Sequence, residues 1–241
     1  MEFFRDVIRL YIERSDWFLE LTGAHIALAL TAILLAGVLG LLLGIWISEC
    51  PRASGPVLTM ANILYTIPSI SLLGMLIPVM GIGNPTAVVA LTLYGLMPMV
   101  RNTYAGITGV SADIISAAEA MGSTRAQIMW KIKLPLALGV IIAGVRNMVV
   151  MTISVAAIAS FIGAGGLGVA IYRGITIYDT AMTFSGSLLI ALLAIVSDLL
   201  LGIAEKKIRK GMHYHEIKKN NGCAVGWRTY AGADGLFRDK E

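Results

Sequence analysis

Residues 115–135 read ISAAEAMGSTRAQIMWKIKLP, and this stretch decides how the surrounding segments are interpreted. It is too polar to cross a membrane, yet it predicts local structure. Ser111 can cap a helix that ends at Gly122, because a side-chain oxygen satisfies free N–H groups and glycine accepts the left-handed conformation after the last turn. Thr124, with Gln127 at capping-box spacing, predicts the start of a second helix. We therefore expect two short helices separated by a turn.

Apolar side chains continue along the second helix towards Pro135, where we expect a break before the next segment. They are Ile128, Trp130, Ile132 and Leu134. Small alanines and this apolar surface suit a partner that packs closely against the protrusion. An amphipathic helix resting on the bilayer fits the same pattern, so both alternatives stay open from these residues.

The composition on either side is that of an integral membrane protein. Hydrophobic residues make up 57% of the 241 residues and charged residues only 14%, whereas soluble domains carry about a quarter charged residues. Neither residues 26–47 nor residues 53–100 contain Asp, Glu, Lys, Arg or His. The net charge of +4 comes mainly from short basic runs beside the apolar segments, so it does not indicate nucleic-acid binding.

Five apolar segments approach the roughly 20 residues that a membrane-spanning helix needs. We predict an all-α polytopic fold with about five spans, at residues 25–47, 56–80, 85–105, 136–162 and 181–204. Pro68 and Pro78 interrupt the second. Residues 1–21 are expected to form an amphipathic segment at the membrane interface, with an ordinary polar lead-in as the alternative. Residues 212–241 lack periodicity and are expected to be disordered.

The distribution of basic residues predicts the orientation, because Lys and Arg concentrate in cytoplasmic loops. The segments after the third and fifth spans are basic, and they contain Arg101, Arg125, Lys131, Lys133, Lys206, Lys207, Arg209 and Lys210. The loop at 81–84 has no charge, and Arg173 is the only basic residue between the last two spans. The N-terminus is therefore expected outside and the C-terminus in the cytoplasm.

Residues 163–168 read GAGGLG, which matches the dinucleotide-binding spacing G-x-G-x-x-G. That spacing binds a nucleotide only between a strand and a helix. Here it follows a predicted helical span, so a nucleotide site is excluded. We predict a turn at the outer end of the fourth span, which serves either as a gate or as a closely packed loop. Its glycines are Gly163, Gly165, Gly166 and Gly168.

Two ionisable residues fall inside predicted spans. Arg146 lies about 15 Å along the helix from Pro135, at 1.5 Å per residue, and Asp198 lies at a similar distance from the basic end of the fifth span. Ionisable groups within a membrane tend to pair. We therefore predict an Arg146–Asp198 pair between the fourth and fifth spans, with a structural role.

The loop at 111–135 resembles the EAA loop of the permeases of bacterial ABC importers. That motif is E-A-A, three residues, Gly, nine residues and then I-x-L-P. Ser116-Ala117-Ala118 takes the first place, Gly122 follows after three residues, and Ile132-Lys133-Leu134-Pro135 follows nine residues later. Ser116 departs from the acidic residue usual in the family. Glu119, three residues further on, can substitute for it on the helix face.

The resemblance covers residues 22–211 and is closest to permeases for the osmoprotectants glycine betaine, choline and carnitine. The segments that carry it are YTIPS at 65–69, LTLY at 91–94, PMVRNT at 98–103, AGVR at 143–146 and ASFIGAGGLG at 159–168. It implies a transport subunit of the bacterial cytoplasmic membrane without its own catalytic, metal or ATPase site. Its expected partners are ABC ATPase subunits that bind ATP and magnesium, a second permease subunit of the same or different sequence, and an extracytoplasmic substrate-binding protein.

The resemblance also assigns roles to residues. ATPase coupling falls to Ser116, Ala117, Ala118, Glu119, Gly122, Ile132, Leu134 and Pro135. The expected translocation path is lined by polar residues of the second and fourth spans, namely Tyr65, Thr66, Ser69, Asn147, Thr152 and Ser154. A quaternary ammonium is normally held by an aromatic cage. No cage is obvious in the spans, so recognition is expected in the binding protein.

Other functions predict other features. A permease for an amino acid or another small solute would share the same loop. An ion-coupled secondary transporter would show an inverted repeat and acidic residues at mid-membrane, and neither is clear. A membrane enzyme would need clustered ionisable side chains near one face, and the three histidines, His25, His213 and His215, form no such cluster in the sequence.

Overall fold

A computed structural model describes residues 2–231 of the chain, with side chains described as far as residue 206. All regular elements in this part are helices, which confirms the all-α prediction. The α-helices are α1 (Glu2–Glu13), α2 (Ser15–Glu49), α3 (Pro51–Thr66), α4 (Ser69–Met80), α5 (Asn84–Thr108), α6 (Ala112–Ala120), α7 (Arg125–Ile128), α8 (Leu134–Ala156), α9 (Gly168–Thr176) and α10 (Thr180–Ala231). A π-helical segment, Met129–Lys133, precedes α8, and a 3₁₀-helix, Ala157–Ile162, follows it.

Within the described residues, three helices are long and apolar enough to cross a membrane: Ser15–Glu49, Arg125–Ile162 and Thr180–Lys206. The pair α3 and α4 gives a fourth crossing if it counts as one broken span. Helix α5 occupies the predicted third span but does not reach the same hydropathy. The predicted count of five is therefore approximate.

Helix α5 is buried in the centre of the bundle, which explains its lower hydropathy. Leu91, Met99 and Val100 are each 2% exposed, so much of its surface contacts protein instead of lipid. A Cβ atom on Gly44 of α2 would lie 2.5 Å from the Cβ of Thr103 on α5. Only glycine allows the two backbones to approach so closely, as is typical of packing between membrane helices.

The second predicted span is sharply bent at Pro68. Helices α3 and α4 meet at an angle of 98°, and Ile67 has an extended backbone with ψ 126°. A residue before proline is sterically pushed out of the helical region, which ends α3 at this point. The Tyr94 hydroxyl of α5 donates to the Ile67 carbonyl and so satisfies a backbone group at the bend. Pro78 lies within α4 without ending it.

The N-terminal segment forms the amphipathic helix α1. Val7 is buried, while Ile8 and Ile12 are 59% and 73% exposed. The Tyr11 hydroxyl donates to the Ser185 carbonyl of α10 at 2.8 Å. Burial raises the pKa of Tyr11, and this hydrogen bond lowers it by a smaller amount, so the hydroxyl stays protonated and able to donate. Location at a membrane interface stays a prediction.

Two predicted boundaries differ from the helices. Helix α2 begins at Ser15, before the predicted start of the first span at residue 25, because a helix can continue past the apolar layer into polar surroundings. Helix α10 continues to Ala231. Disorder was expected for residues 212–241. The side chains of these residues lie outside the described part of the chain, and so does the whole of residues 232–241. That expectation stays a prediction.

Candidate functional site

The loop between α5 and α8 begins with α6, whose ends have the expected caps. The Asp113 N–H donates to Ser111 Oγ at 3.3 Å. At the other end Gly122 has φ +81°, and its N–H donates to the Glu119 carbonyl at 2.9 Å. The Ser123 N–H donates to the Ala118 carbonyl at 3.0 Å. These two bonds form a Schellman motif, which requires the left-handed residue that glycine supplies.

Helix α7 starts at a complete capping box. The Gln127 N–H donates to Thr124 Oγ1 at 3.3 Å, and the Thr124 N–H donates to Gln127 Oε1 at 2.9 Å. The two short helices and the turn between them, predicted from the sequence, are therefore confirmed.

The predicted break at Pro135 is wrong. Residues 125–162 form one helical stretch, and the π-helical segment Met129–Lys133 joins α7 to α8. Pro135 lies in the first turn of α8, where a missing N–H is tolerated. The N–H of Leu134 donates to the Met129 carbonyl, in the wider π-type pattern. The chain thus accommodates the proline by a change of helix type and continues.

The predicted coupling residues divide into an exposed and an enclosed group. Ser116, Ala117, Glu119 and Gly122 are exposed, whereas Ala118 is buried. The remaining three are half-buried: Ile132, Leu134 and Pro135. Sequence reasoning assigned no surface role to Met121, which is 87% exposed beside the turn. The surface open to a partner is therefore one face of α6 with the tip of the turn.

An ion pair that the sequence did not predict ties this loop to the end of α2. Lys133 Nζ lies 2.9 Å from Glu49 Oε1. The lysine side chain is 19% exposed and the glutamate 40%. These residues are 84 positions apart, so no local spacing could reveal the pair.

The intramembrane pair has the predicted partners. Arg146 Nε lies 2.5 Å from Asp198 Oδ1, and Arg146 Nη2 lies 2.6 Å from Asp198 Oδ2. Two parallel hydrogen bonds of this kind join guanidinium and carboxylate with defined geometry. The pair links α8 to α10.

Most of the predicted path residues lie on exposed surface. Tyr65, Thr66, Asn147 and Ser154 are exposed, and Ser69 is half-buried. Thr152 is 1% exposed, so it is buried within this single chain, and its place on the path stays a prediction. At 3.6 residues per turn it points away from the face that Asn147 and Ser154 share. It faces Gly95 on α5, where an added Cβ would lie 3.4 Å from Thr152 Oγ1.

Contacts between helices hold Tyr65 in place. Its ring packs edge-on to that of Tyr94, with centroids 6.2 Å apart. Its hydroxyl donates to Met151 Sδ of α8 at 3.6 Å. The exposed tyrosine therefore has a fixed orientation at the junction of α3, α5 and α8.

The glycine segment forms the predicted turn, with φ +75° at Gly163 and φ +100° at Gly166. The Gly165 N–H donates to Asn84 Oδ1 at 3.0 Å, which ties the turn to the start of α5. Gly168 starts α9. A role as a gate stays a prediction.

The turn also packs on His25, for which the sequence indicated no role. His25 is completely buried, and its Nε2 lies 3.1 Å from the Ile153 carbonyl. A Cβ on Gly166 would lie 3.0 Å from His25 Nδ1. The imidazole thus occupies the space between α8 and the glycine turn.

These features define an α-helical membrane protein with a folded two-helix loop between two of its membrane segments. Residues 23–210 match the family described as binding-protein-dependent transport system inner membrane component, and the chain belongs to that family. The resemblance identified from the loop spacing is therefore confirmed.

Curated relatives match over most of their length. The carnitine transport permease protein OpuCD of Listeria monocytogenes is 38% identical over 209 residues, covering 86% of this chain and 94% of that protein. The glycine betaine/carnitine/choline transport system permease protein OpuCD of Bacillus subtilis is 36% identical over 223 residues, covering 92% and 95%. The osmoprotectant import permease protein OsmW of Salmonella typhimurium is 41% identical over 201 residues, covering 81% and 94%.

A solved structure supports the fold. An inward-facing conformation of the MetNI methionine ABC transporter contains a chain that matches with a TM-score of 0.74 at 24% identity. The match covers 81% of this chain and 98% of that one.

Proposed function

We propose that this chain is the permease subunit of an ABC importer for quaternary ammonium osmoprotectants, the class that includes carnitine, glycine betaine and choline. Family membership and the names of the relatives support the class of transporter and of solute. The folded loop at 111–135 is the observation that carries the proposal. It combines the motif spacing with an exposed helix face suitable for docking.

The exposed face of α6 docks into a partner ATPase, which binds ATP and magnesium. Ser116 and Glu119 are both exposed, and positions three apart share a helix face. Glu119 therefore supplies the carboxylate that Ser116 lacks. This chain contributes mechanical coupling and a path, without an ATPase site of its own.

Motion of the loop reaches the membrane through a continuous helix. Residues 125–162 are helical throughout, and the 3₁₀ segment at their end leads into the glycine turn. A displacement of α6 and α7 therefore acts on α8 directly and on the outer turn through it. Alternating access follows when two permease subunits move against each other.

The remaining partners follow from the family. A second permease subunit completes the path, and an extracytoplasmic binding protein delivers the solute. The basic loops place the C-terminus in the cytoplasm and the N-terminus outside the cytoplasmic membrane.

Solute uptake by vesicles distinguishes this function from an ion-coupled transporter. The chain is co-expressed with an ABC ATPase and an extracytoplasmic binding protein of an osmoprotectant importer, and uptake of labelled carnitine, glycine betaine and choline is measured. We expect uptake to require ATP and to persist when an ionophore dissipates the proton and sodium gradients. Uptake that survives ATP depletion and stops with the ionophore would overturn the proposal.

A further inference from the structure

Two helices present uncharged polar side chains on outward-facing surfaces near Tyr65. Asn147 on α8 and Asn62 on α3 are exposed, and their amides form no hydrogen bond with the described part of the chain. Hydrocarbon offers an amide no partner, and leaving one unbonded there costs several kcal/mol by transfer estimates of roughly 4–8 kcal/mol. This surface, the Tyr65 face, therefore borders water or protein in the assembled transporter.

The Tyr65 ring is the largest fixed group on this face. It is 45% exposed, and contacts with Tyr94 and Met151 hold it from behind. Tyr94 is 6% exposed, and its hydroxyl is bound to the Ile67 carbonyl at the bend between α3 and α4. Tyr94 therefore acts as a positioning residue, while one side of the Tyr65 ring stays available to a ligand.

The chemistry of the face selects for a particular kind of cation. Residues 53–100 carry no charged side chain, and the neighbouring groups are a thioether, amides and hydroxyls. A quaternary ammonium has no N–H to donate, so it binds best to an aromatic ring face and to polarisable surface. A phosphate would need cationic donors, which residues 53–100 do not supply. A primary ammonium can bond to amide and hydroxyl oxygens anywhere, so it is the exposed ring face that favours the quaternary cation. One ring gives weak binding, which suits a site that must also release its ligand.

We propose that Tyr65 contacts the trimethylammonium group of the solute inside the permease, so that this subunit recognises its cargo and is not merely a passive path. The proposal rests on the proposed import function and deepens it. It departs from the expectation that recognition lies in the binding protein, because residue types alone did not indicate that Tyr65 meets Tyr94 and Met151.

Substitution of Tyr65 in the full complex tests the contact. Uptake is measured in proteoliposomes at saturating binding protein, with whichever of carnitine, glycine betaine and choline the wild type imports. Loss of the ring in Tyr65→Leu is expected to lower the maximal uptake rate roughly tenfold, given the strength of a desolvated cation–π contact. Tyr65→Phe keeps the ring face and is expected to stay within about twofold of the wild type.

Trp46→Leu is the matched control, because Trp46 is an aromatic residue of α2 with 53% exposure and lies outside the Tyr65 face. It is expected to leave uptake unchanged. If Tyr65→Leu transports as well as Trp46→Leu, the contact is disproved while ATP-driven import stands. If the wild type imports none of the three solutes with ATP, the proposed function itself fails.

Chemical labelling tests the same face without depending on the leucine variant. Tyr65→Cys is made in a background with Cys50 and Cys223 replaced by serine, and is treated with a membrane-impermeant thiosulfonate reagent bearing a trimethylammonium group. We expect labelling in the assembled complex, slowed by the imported solute, whereas Val38→Cys on the exposed apolar surface of α2 resists labelling. Failure of Tyr65→Cys to react would show that the face is covered by lipid or protein and would overturn the proposal.

Discussion

Arg146 and Asp198 bring opposite charges into the membrane-spanning part of the chain, and each is tolerated there because the other neutralises it. Their side chains are 37% and 36% exposed, so the pair is only partly removed from its surroundings. The sequence predicted this pair because ionisable residues are rare in spans and both stood at a similar depth.

Removing one partner is expected to destabilise the bundle. Asp198→Asn removes the carboxylate that bonds Arg146 Nε and Nη2, and we expect a lower melting temperature than that of the wild type, with the loss limited by the partial exposure of both side chains. The melting temperature of the purified protein measures this. The double variant Arg146→Asp with Asp198→Arg is expected to recover much of the loss, and no recovery would count against the pair. Arg9→Gln, which breaks the exposed Arg9–Glu13 pair, should lower the melting temperature less than Asp198→Asn does.

Gly166 is required by backbone conformation and by its neighbour. Its φ of +100° is unfavourable for an L-residue with a side chain, and a Cβ would lie only 3.0 Å from His25 Nδ1 and 3.1 Å from its Cα, so His25 would have to move slightly. Gly166→Ala is expected to cost at least about 1 kcal/mol and to reduce uptake by distorting the outer turn. Gly139→Ala is the control, since a Cβ at Gly139 of α8 meets nothing within 4 Å. Equal melting temperatures for the two variants would refute this account of the turn.

At the level of elements, the continuous helix from α7 through α8 connects the two-helix loop at 111–135 with the glycine turn at 163–168. The caps of α6 and α7 could be predicted because each depends on residues within a few positions, such as Ser111, Thr124 and Gln127. The expected break at Pro135 was wrong because the π-helical segment Met129–Lys133 lets the helix continue from α7 into α8 past the proline. The π-helical segment could not be anticipated from residue types alone.

The Lys133–Glu49 pair is expected to couple the loop to α2. Lys133→Met should change stability by less than about 1 kcal/mol, because Glu49 is partly exposed, yet lower the solute imported per ATP hydrolysed. Lys131→Met, which changes an exposed neighbouring lysine, should leave the solute imported per ATP hydrolysed unchanged. Parallel assays of uptake and ATP hydrolysis measure the ratio. If reversing the pair with Lys133→Glu and Glu49→Lys fails to restore that ratio, the pair has no coupling role.

For the whole molecule, apolar segments predicted where the long helices lie along the chain, while the predicted count of five spans is approximate. A helix that contacts lipid needs a highly apolar surface. Helix α5 contacts mainly protein, so its hydropathy is lower than that of the other predicted spans. The 98° bend at Pro68 was signalled only as an interruption. Its direction depends on packing against Tyr94, which lies 27 positions from Ile67.

The path residues show the same limit. Polarity identified Tyr65, Asn147 and Ser154, which are exposed, but also Thr152, which is buried against α5. A hydroxyl in a span can serve packing or a path, and the sequence does not distinguish these uses. The face that carries Tyr65, Asn147 and Ser154 is exposed in a single chain. A second permease subunit, as proposed above, would cover or complete this face.

The exposed face of α6 is proposed to link this chain to an ATPase and to drive solute import. Ala117→Trp places a bulky side chain on that face, where Ala117 is exposed. The most direct test measures ATPase co-purification and ATP-driven uptake for this variant beside Ile82→Trp, which alters an exposed residue in the loop between α4 and α5. We predict that Ala117→Trp loses both properties with an unchanged melting temperature, while Ile82→Trp keeps both. Full ATPase binding and full uptake by Ala117→Trp would contradict the account.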